Sequence, residues 1–271
     1  MTESTLVKPK SKSKVKTRGR YLYCLIRAED AIPEFEIAPV PASLEESNGR
    51  VYTVVAGKVA AVVSNSPIMR YPVSRGNLLA HERVLEHVME QMPALPVKYG
   101  TVASSQEDLI SKLLVPREAE LVGLLNNFDG RVEVSLKAFW QRERIFAEVA
   151  QQPEIARLRD KIMSRPDNQN HLDKIELGQM IERALESTRE ADAERLLARL
   201  RPLALEVKQN PITLDMLVLN SAFLIEADKQ AAFDEAVNAL DEEMSLRLTL
   251  KYAGPLPPFN FLQLNLATVE E

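Results

Sequence analysis

Cysteine occurs once, at Cys24, so no internal disulfide and no multi-cysteine metal site can form, and the chain suits a reducing compartment. Glycine is scarce, nine in 271 residues, and no phosphate-cradling loop or dinucleotide fingerprint is built from them. A serine nucleophile elbow is also missing. No run approaches the roughly 18 apolar residues of a membrane-spanning helix, and the basic N-terminus leads into no uninterrupted apolar signal region. Histidine is limited to His81, His87 and His171. The first two are six residues apart, about 240° around a helix, so they cannot grip one metal, and His81-Glu82 does not open a zincin motif. His81 reads as a partly buried helix residue making a local hydrogen bond. Cys24, inside an apolar strand without an adjacent histidine or lysine, reads as a small buried hydrophobe. Acidic clusters at Asp241-Glu242-Glu243 and at Glu226 with Asp228 lack the loop spacing of an EF-hand and read as solvated faces. With no catalytic set, no metal site and no cofactor site legible, the chain is expected not to be an enzyme.

What is present is ample apolar and charged material, 45% and 27%, enough for two cores of ordinary size. Charge is distributed unevenly. Residues 1–20 hold seven lysines and arginines against Glu3, a net +6 that leaves the remaining chain at −11. The tail lacks aromatics for base stacking and alternates lysine with serine, so it is expected to be a disordered, solvated leader rather than a nucleic-acid arm.

Periodicity predicts strands over Tyr21–Arg27, Val51–Val55 and Val59–Ser64, the last two joined as a hairpin by Ala56-Gly57-Lys58. A helix follows over Asn77–Gln91, then a short strand over Val97–Tyr99 after Pro93 and Pro96. A second helical pattern covers Gln106–Phe128 with a kink at Pro116. This is an N-terminal βββαβα domain, residues 21–129. Asp129-Gly130 is a turn signal and marks the boundary. Beyond it come a strand over Arg131–Phe139 and two long charged helices over 141–163 and 171–200, turned at Pro166-Asp167-Asn168. Next are strands over Leu203–Lys208 and Met216–Glu226, a helix over Lys229–Glu243 and a strand over Leu246–Tyr252. The βαββαβ order predicts a modified ferredoxin-like domain over 130–271, with the helical hairpin 141–200 inserted in its first crossover. Its first and third strands should be central, which suits the continuously apolar Met216–Ile225. A short final strand is expected over Asn260–Leu266. The fold class is therefore α+β with two domains.

Seven blocks carry a resemblance: RYLYCLIRAED at 20–30, VYTVVAGKVAAVVS at 51–64, NLLAHERVLEHVM at 77–89, LPVKYGTVAS at 95–104, VEVSLKAFW at 132–140, VLNSAFLIE at 218–226 and GPLPPFNFLQL at 254–264. In this order they resemble the GvpL/GvpF family of gas vesicle proteins. LLAHERVLE, LPVKYGT and GPLPPFNF are the most specific, while the basic tail and residues 31–49 fall outside. The resemblance implies a role in forming the gas-filled protein organelle, as an assembly factor or minor shell-associated component. It implies as partners the small hydrophobic shell protein and other accessory proteins, while the acidic body and the lack of a membrane-length apolar run lead to the expectation of no nucleic acid and no membrane. The expected location is the cytoplasm, at the vesicle shell, with a gas-facing position open to it. A ligand-sensing regulatory protein is the alternative, because ferredoxin-like domains often serve as small-molecule modules.

An accessory protein can manage so apolar a client by pairing backbone along a sheet edge or by covering the client's helix. The candidate contact is the final strand, with Asn260, Phe261, Leu262, Gln263, Leu264 and Asn265 presented by Pro257-Pro258 at a sheet edge. The competing expectation is that Phe259, Phe261, Leu262 and Leu264 complete the domain's own core, leaving the helical hairpin as the contact.

Overall fold

Aromatic and β-branched residues early in the chain build the first of two antiparallel sheets. In the computed structural model the described residues are 18–40, 49–166 and 170–262. They divide into two compact units between Asn127 and Phe128. The fold is α+β.

The first unit comprises β1 (Arg18–Arg27), β2 (Val51–Ala56), β3 (Val59–Pro67), α1 (Arg75–Met89), β4 (Leu95–Pro96), β5 (Val102–Ala103) and α2 (Glu118–Phe128). The sheet runs β2-β3-β1-β4, with β5 also on β1. Gly57, at φ +60°, turns the β2–β3 hairpin. The register of β1 on β3 slips between Leu22 and Cys24. That bulge brings Tyr21, Tyr23, Cys24 and Ile26 into one core, where strict alternation would send Cys24 to the other face.

Four expectations are corrected here. Arg18, Gly19 and Arg20 belong to β1, opposite Pro67, Ser66 and Asn65, and not to the tail. α1 starts at Arg75, because Ser74 caps it by accepting the Asn77 N–H. The strand expected at Val97–Tyr99 is replaced by two pairs of residues on the same edge of β1. β4 lies against Cys24 and Leu25, and β5 against Arg20 and Tyr21. Gly100, at φ +84°, turns between them, so the order is βββαββα. The helix expected over Gln106–Phe128 is broken near Pro116. A short α turn, Gln106–Asp108, runs into π-helical turns over Leu109–Leu114, and α2 starts only at Glu118.

The second unit comprises β6 (Arg131–Trp140), α3 (Arg142–Ala150), α4 (Pro153–Met163), α5 (His171–Leu200), β7 (Glu206–Gln209), β8 (Leu217–Glu226), α6 (Gln230–Met244) and β9 (Leu248–Leu256). Its sheet runs β7-β8-β6-β9, every pair antiparallel, so β6 and the strongly apolar β8 lie side by side in the centre. Val134, Leu136, Ala138 and Trp140 of β6 share one core with Ile145, Val149, Leu196, Leu200, Phe233 and Leu240 of the helices. The helices therefore cover one face of the sheet.

The helix expected over 141–163 is two helices, because Pro153 occupies the first turn of α4 and cannot continue α3. Asp167 and Asn168 of the expected turn lie outside the described residues. A 3-10 turn at Arg201–Leu203 delays β7 to Glu206. β9 begins at Leu248, so Leu246 is exposed rather than aligned with Leu248 and Leu250 on one strand face. The strand expected over Asn260–Leu266 does not form across its first three residues. There the chain turns, and the Phe261 and Leu262 N–H groups both donate to the Pro258 carbonyl. Gln263, Leu264, Asn265 and Leu266 lie outside the described residues.

Candidate functional site

Three sequence blocks, RYLYCLIR, LLAHERVLE and LPVKYGT, meet at His81, which is only 2% exposed. Its Nε2 lies 3.1 Å from the Val97 carbonyl oxygen, which can only accept, so Nε2 carries the proton. Nδ1, 3.1 Å from the Tyr21 hydroxyl, then accepts from it. Tyr21 Oη in turn accepts the Gly100 N–H at 3.0 Å. Tyr23 Oη accepts the Val40 N–H and pairs with Ser64 Oγ, each at 3.0 Å. The Tyr71 hydroxyl is bonded to Ser66 Oγ. The Tyr21 ring meets Tyr71 and His81 edge-on. These bonds cross the unit, whereas the sequence reading of His81 foresaw a local one.

The chemistry of this cluster is inert near neutrality. Burial pushes the His81 imidazole down to about 4, against the opposing hydrogen bond to Val97. Burial pushes the Tyr23 phenol up to about 12, despite the bonds from Ser64 and Val40, and raises the Tyr21 phenol and the Cys24 thiol as well. A neutral imidazole and protonated phenols that already satisfy one another form an architectural hub, with no poised acid, base or nucleophile.

VEVSLKAFW and GPLPPFNF meet in the second unit. A Cβ on Gly254 would sit 2.7 Å from Val134 Cγ1. Its φ is not positive, so close approach to Val134, and not a left-handed backbone, is what calls for glycine at this position. β9 ends with Leu256 opposite Glu133. The chain then turns, and Asn260 returns to Glu133, donating its backbone N–H to Oε2 at 2.9 Å and its side-chain N–H to Oε1 at 2.6 Å. Lys208 Nζ donates to the Asn260 carbonyl at 2.8 Å. Of the candidate contact residues, the structure thus places Asn260, Phe261 and Leu262 in a turn on the sheet, the latter two half-buried, with Phe259 beside them 43% exposed.

The helical arm is fixed at its root by a set of bonds that sequence reasoning missed. Asp192 of α5 accepts the Trp140 indole N–H at 2.8 Å and the Arg247 Nε–H at 2.9 Å, while Arg247 also pairs with Glu148. Arg189 lies over the Trp140 ring at 5.3 Å. A signal was available: Leu185, Asp192, Leu196 and Leu200 fall on one stripe of α5, so a carboxylate stands where the helix meets the core. The opposite end of the arm exposes Met163 at 77%, Leu172 at 79% and Ile175 at 47%. The acidic clusters are engaged in surface pairs, Glu243 with Arg195 and Arg199, and Glu226 with Lys229. Among the described residues no three histidine, cysteine or acidic side chains gather to hold a metal, and no helix is long and apolar enough to cross a membrane.

A family model described as gas vesicle synthesis protein GvpL/GvpF matches residues 19–263. Gas vesicle protein F of Nostoc sp. strain PCC 7120 is 31% identical over 252 residues, covering 91% of this chain and 99% of that protein. The crystal structure of GvpF from Anabaena sp. PCC7120 superposes with a TM-score of 0.78 at 28% identity, covering 91% of this chain and 99% of the other. That of GvpF from Microcystis aeruginosa gives 0.72 at 26% identity with the same coverage.

Proposed function

The chain belongs to the gas vesicle synthesis protein GvpL/GvpF family, and from that premise we propose that it acts in gas vesicle formation by binding the small hydrophobic shell protein. Its relatives and structural neighbours are gas vesicle proteins, not enzymes, and the inert buried clusters accord with a non-enzymatic accessory or minor structural role. Other gas vesicle accessory proteins are its further partners in this reading. Its place is at the vesicle shell in the cytoplasm, with the gas-facing side open to it. The second unit is a modified ferredoxin-like module that carries α3–α5 in its first crossover. The element order and the sheet order β7-β8-β6-β9 support that description.

The observation that carries the binding reading is the apolar end of the helical arm. Met163, Leu172 and Ile175 are exposed there, while Asp192 and Trp140 fix the arm's root to the sheet. An apolar helix of the client can pack along such helices through side chains spaced at three and four residues. The sheet edges offer less. β7 is four residues long with exposed Glu206 and Lys208, and β9 carries Gly254 and Pro255, features that blunt strand addition. A second contact is proposed at the C-terminal segment Asn260–Asn265, favoured by the exposed Phe259 beside it.

The test is co-purification with the shell protein. Met163→Ser, Leu172→Ser and Ile175→Ser together should cut recovery at least tenfold while the circular dichroism spectrum is kept. Loss only with Phe259→Ser and Phe261→Ser moves the contact to the C-terminal segment. Full recovery with both sets sinks both contacts.

A further inference from the structure

Neither the folding core nor the proposed client contact uses Glu133. It is 3% exposed, and both of its carboxylate oxygens are bound by N–H groups of a single residue, Asn260. Burying a carboxylate is costly unless it is hydrogen-bonded, and here the bonds come from a turn that follows the last strand. Asp192 differs, because its donors stand on β6 and just before β9, inside the folded frame. If the Pro257–Leu262 turn lifts, Glu133 regains water in place of Asn260, so no orphaned charge is left behind. Burial does raise the Glu133 carboxyl above the usual range, with the Asn260 bonds and the Lys208 charge opposing, which fits an ion held under strain of desolvation.

The rest of the grip on this segment is slight. Pro258 is buried, but Phe261 and Leu262 are only half-buried, and Phe259 is 43% exposed. The Phe261 and Leu262 N–H groups bond within the turn itself, to Pro258, and so do not tie it to the sheet. Among the described residues its polar ties to the sheet are the two bonds from Asn260 to Glu133 and the one from Lys208 to the Asn260 carbonyl.

We propose that Pro257–Leu262 is a releasable strap and that the Glu133 carboxylate is its catch. In the closed state Asn260 sits on Glu133, and in the open state the strap leaves the sheet and Glu133 is hydrated. Only the consequence rests on the shell-protein reading: an open strap offers Phe259, Phe261 and Leu262 to an apolar client as an unpaired peptide.

Hydrogen exchange on the full chain, with no shell protein present, tests the strap itself. Glu133→Gln keeps the shape but turns one acceptor into a donor facing the Asn260 donors. It should speed exchange of the Asn260 amide at least tenfold and of Phe261 and Leu262 severalfold, with β6 and β8 amides unchanged within twofold. Asn260→Ala, which alters only the strap, should act in the same direction by a smaller factor and decides the matter if the first variant does not fold. Unchanged strap exchange in the folded variants overturns the proposal. So does acceleration shared equally by β6 and β8, which would make Glu133 a determinant of the whole sheet. A failed shell-protein co-purification leaves the strap result standing, and an unchanged exchange pattern leaves the binding reading standing.

Discussion

Acidifying the solution should loosen the first unit through one residue, His81. The unfolded chain takes up a proton at an ordinary histidine value near 6.5, whereas the folded ring resists it until about 4. Because the folded value is depressed, the stabilisation is fully present above 6.5 and is lost as pH falls from 6.5 towards 4. The slope is about 1.4 kcal/mol per pH unit and the total about 3 kcal/mol, a large share of the stability of an ordinary domain. Among the described residues no charged side chain offsets this, since His81 bonds to the Val97 carbonyl and the Tyr21 hydroxyl and is ringed by Tyr21, Tyr23 and Tyr99. Carboxylates elsewhere also titrate in this range, so the quantity to read is the difference between the native chain and His81→Gln. Urea unfolding followed by tyrosine near-ultraviolet circular dichroism suits the first unit, because the single tryptophan, Trp140, reports on the second. The native-minus-variant difference should shrink by about 3 kcal/mol between pH 7.5 and 4. A flat difference, or a His81 ring that titrates near 6.5 in the folded protein by NMR, refutes the reasoning.

Gly254→Ala should cost about 1–3 kcal/mol, read by Trp140 fluorescence, because the added Cβ meets a fully buried Val134 with nowhere to move. Unchanged stability would mean that β9 shifts freely on β6. Asp192→Ala strips the acceptor from the Trp140 and Arg247 donors and should cost on the order of 3 kcal/mol, with Asp192→Asn costing less. Equal losses in the two would argue for packing over hydrogen bonding. Removing residues 2–16 should leave the melting temperature within about 1 °C, since few of them are apolar, whereas removal through Arg20 strips the first pairs of β1 with β3 and should lower it by roughly 4–8 °C. A large drop on the shorter truncation would show that the basic tail contributes to the fold.

The elements that periodicity located were those with one clear face. β3, β6 and β8 combine branched residues with a turn or helix signal at each end, and α1 and α6 repeat apolar residues at helical spacing. What sequence could not show were features decided by distant partners. β4 and β5 are two residues each, too short for any period, and exist because β1 has an edge to fill. Asn260–Leu262 read as a strand from aromatic and polar alternation, but the buried Glu133, 127 residues away, draws Asn260 into a turn instead. Pro153 was the avoidable omission, since proline in a helical pattern marks a first turn or a break. Within the candidate site, sequence singled out Asn260 as a contact for a client, but its bond to Glu133, a carboxylate of its own sheet, had no signal in the local pattern.

The blocks that carried the resemblance turn out to be the ones that meet one another in buried contacts. His81, Val97, Gly100 and Tyr21 come from three of them, and Val134, Glu133, Gly254 and Asn260 from two more. The helical arm from 141 to 200 contributes none of these blocks, yet it bears the exposed apolar end that supports the binding reading. Physics gives a reason for this division. A buried hydrogen-bond hub admits few residue sets, because each donor needs its acceptor at one distance and an unpaired group costs more than a made bond returns. A surface that receives an apolar helix needs only apolar side chains at helical spacing, and many sequences supply those. Family likeness in this chain is therefore written in the contacts that fold it. In the proposed binding reading, the arm's contact needs only exposure and spacing, which is why Met163, Leu172 and Ile175 come to light on the surface of the structure and not among the blocks that identify the family.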